Sequence, residues 1–330
     1  MTGDRRAPTD DTSSAPAQRG FRHEALLYAG LEEFVDRVGA FVREGAEAGE
    51  PVLVVVGAHK IELLRSVLAD LDPDAVTYAD MASVGRNPGR IIPAWRAFTD
   101  EHGAAGTALR GIGEPIHPDR SPDELVESQR HEALLNLAFA TGPALWLACP
   151  YDTDALPSSV IDEALRTHPL VWDRDPGMPT GAYPGLESVA LPFSRSLPDP
   201  PFPVEGLPFG LEDLRGVRAF VTRAATAAGL GPRRTHDLVL AASEVATNSL
   251  RHGGGHGTVR VWRHGEAVVC EVRDGGRFHH QPLAGRVRPT PDQTSGFGLW
   301  LANQVCDLVQ IRSLEDGSVV RLHVSARDTA

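Results

Sequence analysis

Apolar residues recur at helical spacing through "LEEFVDRVGAFVREGAEAG", residues 31–49, and the stretch after it, "PVLVVVG", is a β-branched run without polar alternation. The first pattern predicts an amphipathic helix and the second a strand buried on both faces, as strands of parallel sheets are. "IELLRSVLADL" returns to helical spacing, and farther on the helical "ALLNLAFATG" precedes a second buried-strand run, "PALWLACP". Helices alternating with fully apolar strands imply an α/β layer with a mainly parallel sheet.

The pattern then breaks. Between Leu191 and Leu211 there are six prolines, which deny helix and central-strand structure, so residues 189–210 are expected to be a linker. Beyond it, "LEDLRGVRAFVTRAATAAGL" and "PRRTHDLVLAASEVATNSLRHG" are amphipathic helices, the second opened by Pro232 and closed by the glycines at 253–255. "GTVRVWRHG" and "EAVVCEVRDGG" alternate as a hairpin around His264 and Gly265. "GLWLANQVCDLV" is helical again, and "LVQIRSLEDGSVVRLHV" gives two strands about an Asp-Gly turn. Helices and hairpins in this order suggest an open sheet with helices on one face. Two domains follow, residues 21–188 and 211–330, behind a flexible leader at 1–20 that has no apolar signal-peptide core.

Composition removes several classes of partner. Acidic residues outnumber basic ones 44 to 32, for a formal charge of -12 without a basic cluster, so direct binding to a phosphate backbone is not expected. The longest apolar runs have strand length, far below the roughly 20 residues that span a bilayer; no membrane contact and a cytoplasmic location are expected. Cys149, Cys270 and Cys306 are widely separated in apolar surroundings, as buried thiols of a reducing compartment are. The 13 histidines and these cysteines form no CxxC or HExxH pattern, so no zinc motif is present. "GAHKIELL" follows the first buried strand, where a phosphate-binding loop would sit, but lacks the second glycine and the GK[ST] ending.

Three segments carry chemistry-bearing residues. In "SEVATNSLRHGG", Glu244 and Asn248 share a helix face with His252 one turn on, opposite Leu238, Ala241, Ala242 and Val245. Alone this is a solvated stripe, and His252 suits a cation at a helix C-terminus. In "VRDGGRF" a strand ends at Asp274, and Gly275 and Gly276 leave room for a tight turn or a planar ligand. In "TSGFGLWLANQ", Gly296 and Gly298 precede a helix whose first N–H groups favour bound phosphate. Each is ordinary by itself.

In this order, helix with Glu-x-x-x-Asn, strand with Asp-x-Gly, and loop with Gly-x-Gly opening a helix, residues 211–326 resemble the Bergerat ATP-binding fold (GHKL ATPases), in its small anti-sigma-factor serine-kinase branch. The resemblance implies an α/β two-layer sandwich that binds ATP and Mg²⁺. "LAASEVATNSLRHG" is similar to that branch's N box, which makes Glu244 the general base and Asn248 the Mg²⁺ ligand. It further implies that Asp274 reads adenine with Gly276 against the ring, that Gly296, Phe297 and Gly298 close over the phosphates, that Ser318 lies near adenine, and that Phe278 to Ser295 form a lid. Where relatives continue Asp-x-Gly-x-Gly, this chain has Phe278 after Arg277.

Residues 21–187 resemble the MEDS sensory domain, a RecA-like α/β module without its phosphate-binding loop, through "FRHEALLYAG", "ADMASVGRNPGRIIPAWRAF", "RGIGEPIHP" and "QRHEALLNLAF...LACPYD". The pair of resemblances implies an anti-sigma regulator whose partners are a sigma factor and a STAS-type anti-sigma antagonist, with homodimerisation left open. Two alternatives stand beside the kinase: a non-catalytic, nucleotide-gated partner-binding module, and a histidine kinase in which His131-Glu132 of "RHEALLNL" is the phosphoacceptor box. That box belongs on a helical hairpin directly before the ATPase domain, whereas here a buried-strand pattern and the proline linker intervene.

Overall fold

The valine run at 52–56 is a doubly buried strand. In the computed structural model, which describes residues 20–104, 106–187, 189, 193, 195–276, 281–290 and 296–326, β2 (Val52–Val56) has all five side chains buried. It lies inside a sheet built from β1 (Arg22–Tyr28), β3 (Val76–Asp80), β4 (Leu109–Gly113), β5 (Leu145–Asp152), β6 (Leu170–Trp172) and β7 (Met178–Pro179), in the order β3-β2-β4-β5-β1-β6-β7. All neighbours are parallel except β6 and β7. Parallel neighbours need crossovers, and helices supply them: α1 (Gly30–Glu47), α2 (Ala58–Val67), α3 (Met81–Val84), α4 (Ile91–His102), α5 (Pro122–Ala138) and α6 (Ser158–Thr167). Helix α1 buries Phe34, Val38, Phe41 and Val42, one stripe at helical spacing, against β2 and its neighbours. Helix α5 starts at a capping box, Ser121 with Glu124, and Pro122 fits its first turn.

The second half forms an antiparallel sheet in the order β11-β12-β10-β9-β8, from β8 (Gly206–Phe209), β9 (Gly257–His264), β10 (Ala267–Asp274), β11 (Leu308–Leu314) and β12 (Gly317–Ser325). Helices α7 (Leu214–Ala227), α8 (Pro232–His252) and α9 (Phe297–Val305) accompany it. Leu238, Ala241 and Ala242 of α8 pack on Val268, Cys270 and Val272 of β10 and on Val320, Leu322 and Val324 of β12 in one core. This is the mixed α/β architecture expected, one parallel and one antiparallel sheet. One boundary moves: the stretch read as linker to residue 210 ends in β8, which pairs with β9. Proline is tolerated there because β8 is an edge strand and Pro208 need not donate to a ladder on its outer side.

On the other face of this sheet Glu271 of β10 is fully buried. Its carboxylate takes Arg260 of β9, Arg273 of β10 and Arg321 of β12, the last at 2.7 Å. Burial pushes this carboxyl up, but hydrogen bonds from Arg273, Arg260 and Arg321 outweigh it and hold the pKa below the ordinary carboxylate value. A depressed folded-state pKa contributes stability that is present above the unfolded value, about 4.3 for glutamate, and lost as pH falls through the folded value. Urea unfolding at stepped acid pH is therefore expected to give a shallower fall in stability for Glu271→Gln than for the parent chain. Equal slopes would deny Glu271 that role.

The two halves meet along α5, a 3-10 turn at Pro88–Arg90 and the segment before it, packed on β11, α9 and residues 281–290. Asn87 donates to the side chain and backbone carbonyl of Asn303 at 3.0 and 3.1 Å, Arg86 pairs with Asp307, and Arg130 donates to the Ile311 carbonyl at 3.1 Å. Glu127 of α5, fully buried, faces Arg312 of β11 at 2.6 Å, Arg286 at 3.3 Å and Arg130 at 3.5 Å.

The three cysteines are free and buried. Cys270 and Cys306 lie in one apolar core and Cys149 in another, as expected, but the Cys149 sulfur also meets polar groups, 3.5 Å from His23 Nε2 and 3.4 Å from Glu132 Oε2. Among the described residues no helix is long and apolar enough to cross a membrane. Of the leader expected at 1–20, residues 1–19 lie outside the described residues.

Candidate functional site

Helix α8 is amphipathic because its two long faces do different work. Leu238, Ala241 and Ala242 close the core, and the face carrying Val245, Asn248 and His252 lines a cavity of about 410 Å³. That is within the roughly 300–1,000 Å³ of small-molecule sites. Among the described residues the rest of the wall comes from Gly253 after α8, Asp274 and Gly276 at the end of β10, Gly296 and Leu299 at the start of α9, Ser318 and Val320 on β12, and Gln281, Ala284 and Gly285. Asn248, Asp274, Gly276, Gly296 and Ser318, from three separate sequence motifs and a strand, thus share one cavity. Glu244, Phe297 and Gly298 do not line it. Glu244 is one turn before Asn248, partly buried, and Gly298 presses on both: a Cβ there would come within 3.1 Å of Glu244 Oε2 and of Asn248 Nδ2. Phe297 is exposed.

Asp274 is held from three sides. Its Oδ1 accepts from the Gly276 N–H and the Ser318 hydroxyl, both at 2.8 Å, and its Oδ2 accepts from the Ser249 hydroxyl. Ser318 reaches it because β10 and β12 pair with Asp274 opposite Ser318. An ionised carboxylate has about four acceptor positions, so three internal donors fix its orientation and leave capacity for a donor on a ligand. The backbone beside it must be bare, since a Cβ on Gly276 would lie 2.9 Å from Asp274 Oδ1 and 2.9 Å from the His252 carbonyl. Across the cavity, α9 is preceded by its N-cap residue Gly296, whose φ of 96° is left-handed and which offers no side-chain cap. The first N–H groups of such a helix are free for an anion, and the partial positive charge of the terminus favours one. A carboxylate for a ring amine, a carboxamide for a cation and a helix N-terminus for phosphates are the donor and acceptor set of a purine triphosphate.

Sequence reading missed parts of this wall. Val245, which packs in the core as expected, and His252, in the last turn of α8 as expected, also line the cavity. Ser249 was not singled out, although Val245, Asn248, Ser249 and His252 stand at i, i+3, i+4 and i+7, one face of α8. The lid span from Phe278 to Ser295 is described only at 281–290; Phe278 and Arg277 lie outside the described residues. Lys60, in the first turn of α2 where a phosphate-binding loop would sit, is occupied by Glu114 and by the Tyr28 hydroxyl at 2.6 Å. His131 is 1% exposed, and burial pushes its pKa down to about 3. A phosphoacceptor must reach a second domain's nucleotide, and a ring sealed inside α5 does not.

Residues 22–169 match the family described as MEDS, the methanogen/methylotroph, DcmR sensory domain, and residues 207–324 match the histidine kinase-like ATPase domain family. No curated protein matches the chain. Among solved structures, that of the RsbU and RsbW domains of Rv1364c from Mycobacterium tuberculosis is similar at 21% identity, over 37% of this chain and 33% of that one, with a TM-score of 0.28. The likeness spans about a third of that chain.

Proposed function

From a chain that joins a MEDS domain to a histidine kinase-like ATPase domain, we propose an ATP- and Mg²⁺-dependent anti-sigma regulator. Residues 211–330 bind a sigma factor and transfer the γ-phosphoryl group of ATP to a serine or threonine of an anti-sigma antagonist, and residues 21–188 bias that activity. The observation that carries the reading is the meeting of Asn248, Asp274, Gly276, Gly296 and Ser318 on one cavity.

In this reading Asp274 accepts a hydrogen bond from the adenine amine, with Ser249 and Ser318 holding the carboxylate in place. Gly296 and the N-terminus of α9 receive the phosphates. Mg²⁺ prefers oxygen ligands, so the Asn248 carbonyl together with phosphate oxygens suits it, and it neutralises charge that develops on the transferring group. Glu244, one turn from Asn248, orients the antagonist's hydroxyl and takes its proton. The similarity of "LAASEVATNSLRHG" to the N box of the serine-kinase branch supports a hydroxyl acceptor. Arg286, next to the cavity residue Gly285 and bound to Glu127 and the Pro88 carbonyl, supports control by the front domain.

Incubation of the full chain with labelled ATP, Mg²⁺ and candidate antagonists tests the proposal. The expected product is an acid-stable phosphoserine or phosphothreonine on the antagonist, lost in Glu244→Gln while ATP binding persists. The position of Glu244 outside the cavity lining favours a second reading, a nucleotide-gated partner-binding module without transfer. Partner capture that follows the nucleotide, with no phosphoprotein and no effect of Glu244→Gln, selects it.

A further inference from the structure

Outside the lining of the nucleotide cavity, His23 of β1, Glu132 of α5, Cys149 of β5 and His168 at the C-terminal cap of α6 converge inside the front domain, each 2% exposed or less. Their ligating atoms all lie within 4.8 Å of one another. His23 Nε2 is 3.0 Å and His168 Nε2 3.3 Å from Glu132 Oε2, and Cys149 Sγ is 3.5 Å from His23 Nε2 and 3.4 Å from Glu132 Oε2. Tetrahedral coordination with metal–nitrogen and metal–oxygen bonds of about 2.1 Å and a metal–sulfur bond of about 2.3 Å puts neighbouring ligand atoms about 3.3–3.7 Å apart. The four separations above, 3.0–3.5 Å, are close to those values, and no pair of the four atoms exceeds 4.8 Å.

The hydrogen bonds outside the cluster fix which ring nitrogens carry protons. The Asn136 amide nitrogen donates to the carbonyls of Glu132, Ala133 and Thr167, which leaves its Oδ1 facing His23 Nδ1 at 3.1 Å. An acceptor there requires Nδ1–H on His23. His168 Nδ1 lies 2.9 Å from the Ala164 carbonyl and therefore also carries a hydrogen. In both neutral rings the Nε2 lone pair then points at the same carboxylate oxygen, acceptor against acceptor. Among the described residues His168 Nε2 and Glu132 Oε1 have no hydrogen-bond partner. Nδ1–H bonded to a carbonyl or amide oxygen, with Nε2 turned inward, is how metal-bound imidazoles are held.

The charges of the cluster also balance with a divalent cation. Protonating both rings would bury two imidazolium ions against one carboxylate, a net positive cluster without solvent, and uncompensated buried charge is costly. A divalent ion with one thiolate, one carboxylate and two neutral imidazoles is neutral. We propose that His23, Glu132, Cys149 and His168 bind a divalent transition-metal ion of zinc-like tetrahedral preference. The set of two nitrogens, one sulfur and one oxygen suits such an ion and not Mg²⁺ or Ca²⁺. No short sequence motif announces this site because its ligands stand on four separate elements.

The full chain, stripped with chelator under reducing conditions and titrated with Co²⁺, tests this. One equivalent is expected to produce intense visible bands of tetrahedral Co²⁺ and a near-ultraviolet thiolate-to-cobalt band, both erased by one equivalent of Zn²⁺. Cys149→Ser should lose the thiolate band, and His168→Gln should weaken Zn²⁺ binding at least tenfold with the circular dichroism spectrum retained. If either variant does not fold, the parent chain's Co²⁺ spectrum decides alone. A pale octahedral spectrum, or a thiolate band that survives Cys149→Ser, overturns the assignment.

Discussion

Asp274→Asn is expected to weaken ATP binding by about 10- to 100-fold while leaving the domain folded. A hydrogen bond to a charged group contributes about 1.5–3 kcal/mol, and 1.4 kcal/mol is about a factor of ten in affinity. Asparagine keeps the shape and one acceptor oxygen, which remains available to the Gly276 N–H that Asp274 now receives at 2.8 Å. Its amide nitrogen can donate to the hydroxyls of Ser249 or Ser318, because a hydroxyl that donates to Asp274 can rotate and accept. The folded state therefore loses little, whereas a ring amine approaching that nitrogen finds a donor. Isothermal titration with ATP and Mg²⁺ measures the effect. The purine riboside triphosphate that lacks the amine supplies a cycle: it should bind the parent chain weakly and lose nothing further in the variant. Equal affinity of parent and variant for ATP would remove Asp274 from adenine recognition.

Much of this site is legible in the sequence because it rests on local rules. Glu244 and Asn248 share a helix face by spacing alone, Asp274 ends an alternating strand at two glycines, and Gly296 stands before a helix. Each motif maps onto the element that its periodicity predicts. What the pattern did not reveal depends on partners remote in sequence. Ser249 has no distinctive role until β10 places Asp274 opposite it, and Cys149 looks like an apolar thiol until α5 brings Glu132 beside it. Edge strand β8 was hidden by its own proline, since proline argues against a strand except where one side of the backbone needs no partner. Glu127 was invisible for a further reason: it lies on α5 between residues of the front core, and its partners Arg286 and Arg312 belong to the other half of the chain.

Glu127→Ala is expected to destabilise the chain by about 3–5 kcal/mol, the cost of removing one partner from a buried ion pair. The carboxylate is fully buried, and Arg286 and Arg312 are each 3% exposed. Burial alone would push this carboxyl up, but the charges of Arg312, Arg130 and Arg286 hold its pKa below the ordinary value. It is ionised at neutral pH, and its loss leaves three guanidiniums facing one another with their mutual repulsion no longer offset. Urea unfolding measures the loss, and two separated transitions are expected if the halves of the chain uncouple. Replacing Arg312 as well should recover part of the stability, because the second change removes one of the charges that the first stranded. A loss below about 1 kcal/mol, within the range of exposed ion pairs, would mean that the cluster does not bind the two halves together. The same variant removes one partner of Arg286 and leaves the Pro88 carbonyl, and its neighbour Gly285 lines the cavity. ATP affinity that changes together with stability would link the front domain to the nucleotide through that arginine, and unchanged affinity would confine Glu127 to holding the halves in place.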